Sequence, residues 1–236
     1  MLSIITATLN ARAHIEILTA SLRSQTDKEF EWVVADGGST DGTLEYLRKI
    51  EGLNVRVICR KDFGIYDALN NAIRESVGDY YVVIGADDEF GRDAVEKFKH
   101  HIDTSGADIV TAKVNFGGVI RGVRGRNSAI QRQFAFVSSH AVATAFCRKL
   151  HERFGFYSSR FPIAADQLFI MTACRGGAVV YRADFVAGSF NTQGLSSHDT
   201  VGALTESFRI QLKFHNRFHQ TCLFVWKLIR RYRSLR

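Results

Sequence analysis

Two adjacent carboxylates, Asp87 and Asp88, follow a short apolar segment and could bind a metal ion. Neighbouring negative charges repel each other, and a bound divalent cation is a common way to offset that repulsion. Mg²⁺ and Mn²⁺ prefer carboxylate oxygens and keep coordination positions open for phosphate groups. The pair alone is also typical of a solvated acidic turn, so its position in the fold decides between the two interpretations.

A glycine-rich segment from Asp36 to Thr43, DGGSTDGT, contains a second carboxylate cluster. Asp36 could accept hydrogen bonds from a nucleobase, and the glycines would allow a ligand to approach the backbone closely. The same segment is also typical of a loop between a strand and a helix, with Thr40 or Asp41 capping that helix. Both interpretations place the segment at the end of a strand.

A third polar cluster lies between Asp62 and Asn70, in the segment DFGIYDALN. Asp62 or Gly64 could end a strand and begin a helix, whereas Asp67 and Asn70 lie inside that helix and could point towards a ligand. The apolar residues at helical spacing predict that the helix packs on the core through Ile65, Leu69 and Ile73.

Four successive strand–helix units place these clusters at equivalent positions. A strand followed by a helix, repeated along the chain, predicts a parallel sheet with right-handed crossovers. Ligands of such sheets bind beyond the carboxyl ends of the strands, where each of the three clusters lies. The sequence therefore predicts one ligand crevice at this edge. The strands are expected at Leu2–Thr8, Trp32–Ala35, Val55–Cys59 and Tyr80–Ile84, and the helices at His14–Ser24, Thr43–Ile50, Ile65–Glu75 and Ala94–His101.

The alternation of strands and helices weakens after about residue 105. We expect a hairpin, two further strands, a helix with Asp166 in its first turn, and two amphipathic helices at the C-terminus. One α/β domain would then span residues 1–203, and a basic helical extension would span residues 204–236. These elements are expected at Ile109–Val114, Gly117–Val123, Val142–Phe146, Ala164–Cys174, Ala178–Val186, Leu204–Phe218 and Cys222–Arg231.

Much of the basic character behind the net charge of +7 lies near the C-terminus. From Ser207 to Arg236 the chain has eight lysines and arginines and no aspartate or glutamate. Apolar side chains are interleaved with these cations, which favours either a basic amphipathic segment on an anionic membrane surface or a helical pair packed on the domain. No window of about 18 apolar residues is present, and the N-terminal apolar run is too short for a signal peptide, so we expect a cytoplasmic protein.

The order of these motifs resembles that of family 2 glycosyltransferases over roughly residues 2–195. The similarity is strongest to short bacterial enzymes that build capsule, exopolysaccharide or lipopolysaccharide chains. It implies a Rossmann-like GT-A fold, an α/β architecture with a mostly parallel central sheet flanked by helices, followed by C-terminal amphipathic helices. The segments that carry the resemblance are SIITATLN from Ser3, the DGGSTDGT loop, GIYDALNNAI, GDYYVVIGADD and FPIAAD, which ends at Asp166.

This resemblance implies an inverting transfer from a nucleoside-diphosphate sugar, with UDP-sugars favoured over GDP-sugars and with Mn²⁺ or Mg²⁺ as cofactor. Asp87 and Asp88 match the metal-binding DxD element, here ADD, with Asp88 as the expected direct ligand, and Asp166 matches the catalytic base. The implied acceptor is a glycan or an undecaprenyl-diphosphate-linked sugar at the inner face of the cytoplasmic membrane. The residues expected to contact the donor are Thr6, Thr8, Asn10, Asp36, Asp62, Asp67, Asp87, His140 and His198.

Asp166 also suits a general base on chemical grounds. A hydroxyl acceptor is a poor nucleophile at neutral pH, and a carboxylate within hydrogen-bond reach can take its proton as the new bond forms. Alternatively, the Asp166 carboxylate could stabilise the N-terminus of its helix through the macrodipole. The two roles are compatible, because a helix N-terminus also fixes the position of the carboxylate.

Three other functional classes fit the sequence less well. A sugar nucleotidyltransferase should carry a glycine-rich basic loop after the first strand, and the segment from Asn10 to His14 has no glycine. A binding module for nucleotides or nucleic acids is supported only by the net charge, and no known nucleic-acid motif is present. A dinucleotide dehydrogenase should have GxGxxG after the first strand, and this motif is absent.

Overall fold

A computed structural model describes residues 1–190 and 199–234, with side chains up to Arg230. In these residues one sheet of nine strands is covered by helices. The strands are β1 (Leu2–Thr8), β2 (Phe30–Asp36), β3 (Val55–Cys59), β4 (Tyr80–Val83), β5 (Glu89–Phe90), β6 (Ile109–Phe116), β7 (Val119–Arg121), β8 (Thr144–Cys147) and β9 (Val180–Phe190). The helices are α1 (Ile15–Arg23), α2 (Thr43–Arg48), α3 (Ile65–Glu75), α4 (Ala94–Ser105), α5 (Ser128–Gln131), α6 (Leu150–Phe154), α7 (Ala165–Arg175), α8 (Thr200–Phe214) and α9 (Arg217–Ser234).

The first four predicted strands form a parallel half-sheet, as expected from the alternation of strands and helices. β3, β2, β1 and β4 lie side by side in that order, and each neighbouring pair is parallel. Thr8 at the end of β1 lies opposite Asp36 at the end of β2. The carboxyl ends of these strands therefore meet at one edge, and the polar loops begin there.

The second half of the sheet is mixed. β8 pairs antiparallel with both β4 and β6, and β9 runs parallel to β6. The predicted hairpin is present as β6 and β7. The sequence does not predict β5, which is two residues long and pairs with Gly188 and Ser189 of β9. Through this pairing, the segment after Asp88 is hydrogen-bonded to the second half of the sheet.

Helix α3 has the predicted boundaries, but two of its residues do not lie as expected. Ile65 is 48% exposed, so its assignment to the core face is wrong. It lies in the first turn, at the sheet edge where the ligand loops begin. Asn70 is buried and does not point into a crevice, because its amide group donates to and accepts from the backbone of Tyr157 at 2.8 and 3.0 Å.

Both C-terminal helices are present, and each begins earlier than the sequence pattern predicts. The expected domain boundary between residues 203 and 204 falls inside α8. α9 packs on α8, where the rings of Phe208 and Phe224 stack with centroids 4.5 Å apart. Among residues 1–190 and 199–234, no helix is long and apolar enough to cross a membrane. The buried residues that pack α8 on the domain are Glu206, Ser207, Ile210 and Gln211.

Candidate active site

Asp36 lies at the end of β2 and orders the glycine-rich loop that follows it. Its Oδ1 accepts hydrogen bonds from the backbone N–H groups of Gly38 (2.9 Å) and Ser39 (2.7 Å). Its Oδ2 accepts from the hydroxyls of Thr8 (2.8 Å) and Ser39 (2.6 Å). Asp36 is only 1% exposed, so these bonds are shielded from water. A nucleobase that bound Asp36 would have to replace one of these donors.

The loop after β1 is tied to the same glycine-rich loop through Asn10. The backbone N–H of Asn10 donates to the Ser39 hydroxyl at 2.8 Å, and its side-chain oxygen accepts from the Thr40 N–H at 2.9 Å. Thr6, in contrast, is fully buried, and its hydroxyl accepts a hydrogen bond from the indole of Trp32 at 3.0 Å. Asn10 therefore belongs to the crevice loops, whereas the Thr6 side chain faces the core.

Asp41 stabilises the far end of the glycine-rich loop. Its carboxylate accepts hydrogen bonds from the N–H groups of Thr43 (3.0 Å) and Arg12 (2.9 Å), and from the Thr43 hydroxyl. These bonds lower the pKa of Asp41, and the bond from the Thr43 side chain has the largest effect. Asp41 thus accepts the N–H of the first residue of α2, but the N-cap position itself is occupied by Gly42 and not by Thr40 or Asp41.

Asp62 and Gly37 are in close contact across the ends of β2 and β3. A β-carbon added at Gly37 would lie 2.6 Å from Oδ2 of Asp62, so the carboxylate occupies the space that a side chain would take. The other oxygen of Asp62 accepts from the N–H of Gly64 at 3.0 Å. Asp67, in the first turn of α3, accepts from the N–H of Phe63 at 3.2 Å. These contacts place the Asp62 carboxylate beside the glycine-rich loop.

Asp87 and Asp88 both hold their carboxylates against Gly85, just beyond the end of β4. A β-carbon added at Gly85 would lie 2.9 Å from Oδ1 of Asp87 and 2.9 Å from Oδ2 of Asp88. Asp88 is 1% exposed, and its Oδ2 lies 3.7 Å from Nδ1 of His140. The His140 ring packs on Phe190 with centroids 3.9 Å apart. Burial lowers the pKa of His140 to about 4, so this imidazole is neutral at physiological pH.

Carboxylate oxygens beside a neutral imidazole suit a divalent cation such as Mn²⁺ or Mg²⁺. Within the described ranges, however, no three His, Cys, Asp or Glu side chains are grouped closely enough to hold a metal ion by themselves. These side chains fit an ion that is coordinated jointly by the protein and a bound phosphate compound. Mg²⁺ sites commonly combine one or two carboxylates with phosphate oxygens.

Asp166 lies in the first turn of α7 and accepts a hydrogen bond from Tyr66 on α3. The Tyr66 hydroxyl is 2.7 Å from Oδ1 of Asp166 and 3.0 Å from the carbonyl oxygen of Ile163. Burial raises the pKa of Asp166, while the Tyr66 bond, nearby backbone N–H groups and the charge of Arg132 act in the opposite direction. Burial and the Asp166 charge raise the pKa of Tyr66, so its phenol stays protonated and donates.

Glu206 on α8 holds the start of α7, a role that the sequence does not predict. Its carboxylate is buried and accepts the N–H groups of Ile163 (3.0 Å) and Ala164 (2.9 Å). Backbone N–H groups at the start of a helix have no partner inside the helix, so these bonds stabilise the turn that carries Asp166. No local pattern could reveal this contact, because Ile163 lies 43 residues before Glu206.

The fold brings the predicted site residues together in three groups. Thr6 belongs to none of them, since it faces the core, and His198 lies outside the described residues. Helix α3 connects two of the groups, because it starts beside the Asp62 loop and carries Tyr66. The groups are Thr8, Asn10, Asp36, Asp62 and Asp67 around the ends of β1 to β3 and the start of α3, Asp87, Asp88 and His140 beyond β4, and Asp166 between α3 and α7, where Tyr66, which was not predicted, donates to it.

Glycine-rich and acidic loops at the carboxyl edge of a parallel half-sheet are typical of α/β proteins that bind ligands beyond the ends of their strands. The sequence matches the family model for glycosyl transferase family 2 over residues 3–179. The chain therefore belongs to family 2 of the glycosyltransferases. It is 30% identical over 217 residues to a PGL/p-HBAD biosynthesis glycosyltransferase of Mycobacterium bovis, which corresponds to 85% of this chain and 80% of that protein.

Solved structures confirm the expected GT-A architecture. Residues 1–349 of S. aureus TarS, in complex with UDP-GlcNAc, superpose with a TM-score of 0.73 at 20% identity, covering 93% of this chain and 69% of that one. The mannosyltransferase PcManGT of Pyrobaculum calidifontis, in complex with GDP-Man and Mn²⁺, gives a TM-score of 0.72 at 20% identity, with coverages of 94% and 69%. At this level of identity the similarity concerns the fold.

Proposed function

We propose that this glycosyltransferase moves a sugar, with inversion, from a nucleoside-diphosphate sugar to a hydroxyl of a glycan or lipid-linked acceptor. The hydrogen bond from Tyr66 to Asp166 carries the proposal. It holds a carboxylate of raised pKa next to the helix that begins at the Asp62 loop. A base with a pKa closer to the working pH is better suited to proton transfer than an ordinary aspartate.

The donor is proposed to bind across the carboxyl ends of β1 to β4. Its nucleoside would lie towards the loops of Asp36 and Asp62, and its diphosphate towards Asp87 and Asp88. The similar structures hold UDP-GlcNAc in one case and GDP-Man with Mn²⁺ in the other. We favour a UDP-sugar and keep a GDP-sugar as the second choice.

A divalent cation, Mn²⁺ or Mg²⁺, is proposed to accompany the donor. Carboxylates at the strand end would repel a diphosphate unless a cation lay between them. Asp88 is the proposed direct ligand, with Asp87 beside it, and both are already held against Gly85. Such an ion stabilises the negative charge that develops on a departing nucleoside diphosphate.

Asp166 is proposed to take the proton of the acceptor hydroxyl as its oxygen attacks the anomeric carbon. The bond from that carbon to the nucleoside diphosphate breaks while the new carbon–oxygen bond forms on the opposite face, which inverts the configuration. Tyr66 and Glu206 support this step without touching the substrate. Tyr66 orients the Asp166 carboxylate, and Glu206 fixes the first turn of α7, which carries Asp166.

The outer face of α9, formed by Phe218, Val225, Trp226 and Ile229, is proposed to lie on an anionic membrane surface. The spacing of these residues places them on one side of the helix, and Phe218, Trp226 and Ile229 are 80%, 53% and 50% exposed. The guanidinium of Arg230 lies over the Trp226 ring at 5.4 Å. Aromatic anchors flanked by cations are typical of helices at a lipid interface. A lipid-linked acceptor would then lie within reach of the site.

Product analysis tests the proposed reaction. The purified protein would be incubated with Mn²⁺ and UDP-glucose, UDP-GlcNAc or GDP-mannose, with water as the default acceptor. Slow release of a nucleoside diphosphate, lost in Asp166→Asn but retained in the exposed control Asp103→Asn, would support glycosyl transfer. A parallel incubation with UTP or GTP and a sugar 1-phosphate would release pyrophosphate if the protein were instead a sugar nucleotidyltransferase.

A further inference from the structure

Arg132, which the proposed mechanism does not use, has a strained backbone, and its side chain is linked through Ser207 to Gln167, the residue after the proposed base. Its φ is 59° and its ψ is −137°, a conformation that glycine tolerates and other residues rarely adopt. The residue follows directly after α5. Strain of this kind persists only where the surrounding structure imposes it, and it is concentrated at ligand-binding and catalytic sites.

Towards the residues that the structure describes, the Arg132 guanidinium uses little of its hydrogen-bonding capacity. Its Nη1 donates to the Ser207 hydroxyl at 2.8 Å, and its central carbon lies 5.7 Å from the centre of the Phe134 ring. A guanidinium has five N–H donors in a planar fork that matches phosphate and carboxylate oxygens. Among the described residues, no carboxylate lies within 4 Å of it.

Two further cations lie near Arg132. The guanidinium carbon of Arg124 is 5.1 Å from the centre of the same Phe134 ring, and Lys227 of α9 lines the same small cavity as Arg132. Burial, together with the charge of Arg124, lowers the pKa of Arg132, and only the charge of Asp166 acts in the opposite direction. Burial and the charge of Arg132 likewise lower the pKa of Lys227. An anionic ligand would relieve this repulsion.

The cavity between Arg132 and Lys227 has a volume of about 20 Å³, which is room for one water molecule. A phosphate group is too large for this space. An anion must therefore reach the guanidinium from outside this cavity. The Ser207 hydroxyl that accepts from Arg132 donates to Gln167 at 2.7 Å, and Gln167 is the residue after Asp166 on α7. The charge of Asp166 also acts on Arg132.

We propose that Arg132, with Arg124 and Lys227 adding positive charge, binds a phosphate group of the acceptor beside Asp166. This inference rests on the proposed role of Asp166 as general base. A phosphate held by Arg132 would bring a neighbouring hydroxyl of the same molecule to the Asp166 carboxylate. Binding of the phosphate would thereby orient the hydroxyl that acts as nucleophile. The acceptor class is thus a phosphate ester or diphosphate with its reactive hydroxyl close to the phosphate.

Calorimetric titration with glycerol 3-phosphate tests this site in the full chain, first alone and then with saturating UDP and Mn²⁺. The wild type is expected to bind in both conditions, and glycerol without phosphate is not. Arg132→Gln should weaken binding at least tenfold, and Lys227→Gln should weaken it several-fold. Arg48→Gln removes an exposed cation on α2 and should change nothing. Lys227→Gln keeps the test valid if Arg132→Gln does not fold.

The titration in the presence of UDP and Mn²⁺ distinguishes an acceptor phosphate from the donor diphosphate as the ligand of Arg132. Binding that persists with UDP present supports an acceptor site. Displacement of glycerol 3-phosphate by UDP would overturn this assignment and would indicate that Arg132 binds the donor diphosphate. Equal binding by Arg132→Gln, Lys227→Gln and wild type, or no binding by wild type, would also overturn it. UDP binding measured alone reports on the donor site, so a failure of the proposed function is seen separately.

Discussion

The hydroxyl of Tyr66 lies 2.7 Å from Oδ1 of Asp166, although the two residues are 100 positions apart in the chain. Tyr66 belongs to α3, which begins beside the loop of Asp62, and Asp166 belongs to the first turn of α7. A single helix therefore sets the position of the proposed base relative to the loops proposed to hold the donor. Small movements of reacting groups have large effects on rate, so this link is central to the proposed mechanism.

Replacement of Tyr66 by phenylalanine should make the enzyme more sensitive to acid. The Tyr66 hydrogen bond favours the ionised form of Asp166, so its loss raises the pKa of this carboxyl further. The base is then protonated over a wider range, and the acid limb of the profile of kcat/KM against pH moves to higher pH. A hydrogen bond to a charged group is worth about 1.5–3 kcal/mol, so activity at acidic pH should fall about tenfold or more.

Tyr80→Phe is the matched control for this change. Tyr80 also loses one hydrogen bond, from its hydroxyl to the carbonyl oxygen of Ala107, and it does not contact Asp166. This variant should lower stability without moving the pH profile. An acid limb that stays in place in Tyr66→Phe would mean that Tyr66 does not influence the base.

Replacement of Asp166 by asparagine should abolish transfer and stabilise the fold. Loss of a general base typically costs a factor on the order of 10²–10⁴ in rate. Burial raises the pKa of Asp166 in the folded state, so the stability of the protein falls as the pH rises from the unfolded pKa to the folded pKa, and the full loss is present above the folded pKa. The melting temperature of Asp166→Asn should therefore exceed that of the wild type at pH 7, and the gain should vanish below the unfolded pKa, where the carboxyl is protonated in both states.

The exposed Asp103→Asn exchange is the control for both measurements. It makes the same chemical change on the surface of α4 and should alter neither the rate nor the melting temperature appreciably. Equal or lower stability of Asp166→Asn at pH 7 would show that burial of this carboxylate is compensated in the native state.

Replacement of Gly37 by alanine should weaken nucleotide binding without unfolding the protein. The added methyl group would lie 2.6 Å from Oδ2 of Asp62, which is too close, so the Asp62 carboxylate must move. It can do so without unfolding the protein because it is the end of a flexible side chain. If Asp62 contacts the donor, UDP affinity measured by calorimetry should fall about tenfold to a hundredfold. Gly122→Ala is the control, since its methyl group would meet only Lys113 at an ordinary 3.5 Å. Unchanged UDP affinity in Gly37→Ala would remove Asp62 from the donor site.

Replacement of Trp226 and Ile229 by serine should detach the protein from anionic vesicles. Complete burial of a large apolar side chain is worth about 1.5–3 kcal/mol, so the pair should weaken partition onto phosphatidylglycerol vesicles by tenfold or more. Val201→Ser, at an exposed position of α8, is the control and should partition like the wild type. Equal partition of all three proteins would favour the other interpretation of the basic C-terminal segment, a helical pair packed on the domain.

The parallel half of the fold follows from the sequence because its signals are local. Near-continuous apolar strands, each followed by a polar loop and a helix of regular spacing, recur four times, and the observed elements agree with that pattern. The second half depends on contacts between distant segments. β5 is two residues long and exists because it pairs with β9, which no pattern around Glu89 could indicate.

The candidate site shows the same division. Asp36, Asp62 and Asp88 are found from their places at strand ends, but their hydrogen-bond partners are not. Thr6 was expected to border the ligand and instead meets the Trp32 indole, because side chains of one strand alternate between faces whose surroundings depend on the neighbouring strand. The roles proposed for Tyr66 and Arg132 depend on the distant Asp166, so neither residue has a signal of its own in the sequence.

The central claim, a metal-assisted nucleotide-sugar site at the edge of the parallel half-sheet, is tested most directly by nucleotide binding. Thermal unfolding would be followed with UDP, GDP, CDP and dTDP, each with and without Mn²⁺, in wild type, Asp88→Asn and Asp166→Asn. A ligand at a hundred times its dissociation constant adds about 2.7 kcal/mol of stability. We expect such a stabilisation with UDP that requires Mn²⁺, is lost in Asp88→Asn and persists in Asp166→Asn. No stabilisation by any nucleotide, with or without Mn²⁺, would contradict the donor site proposed here.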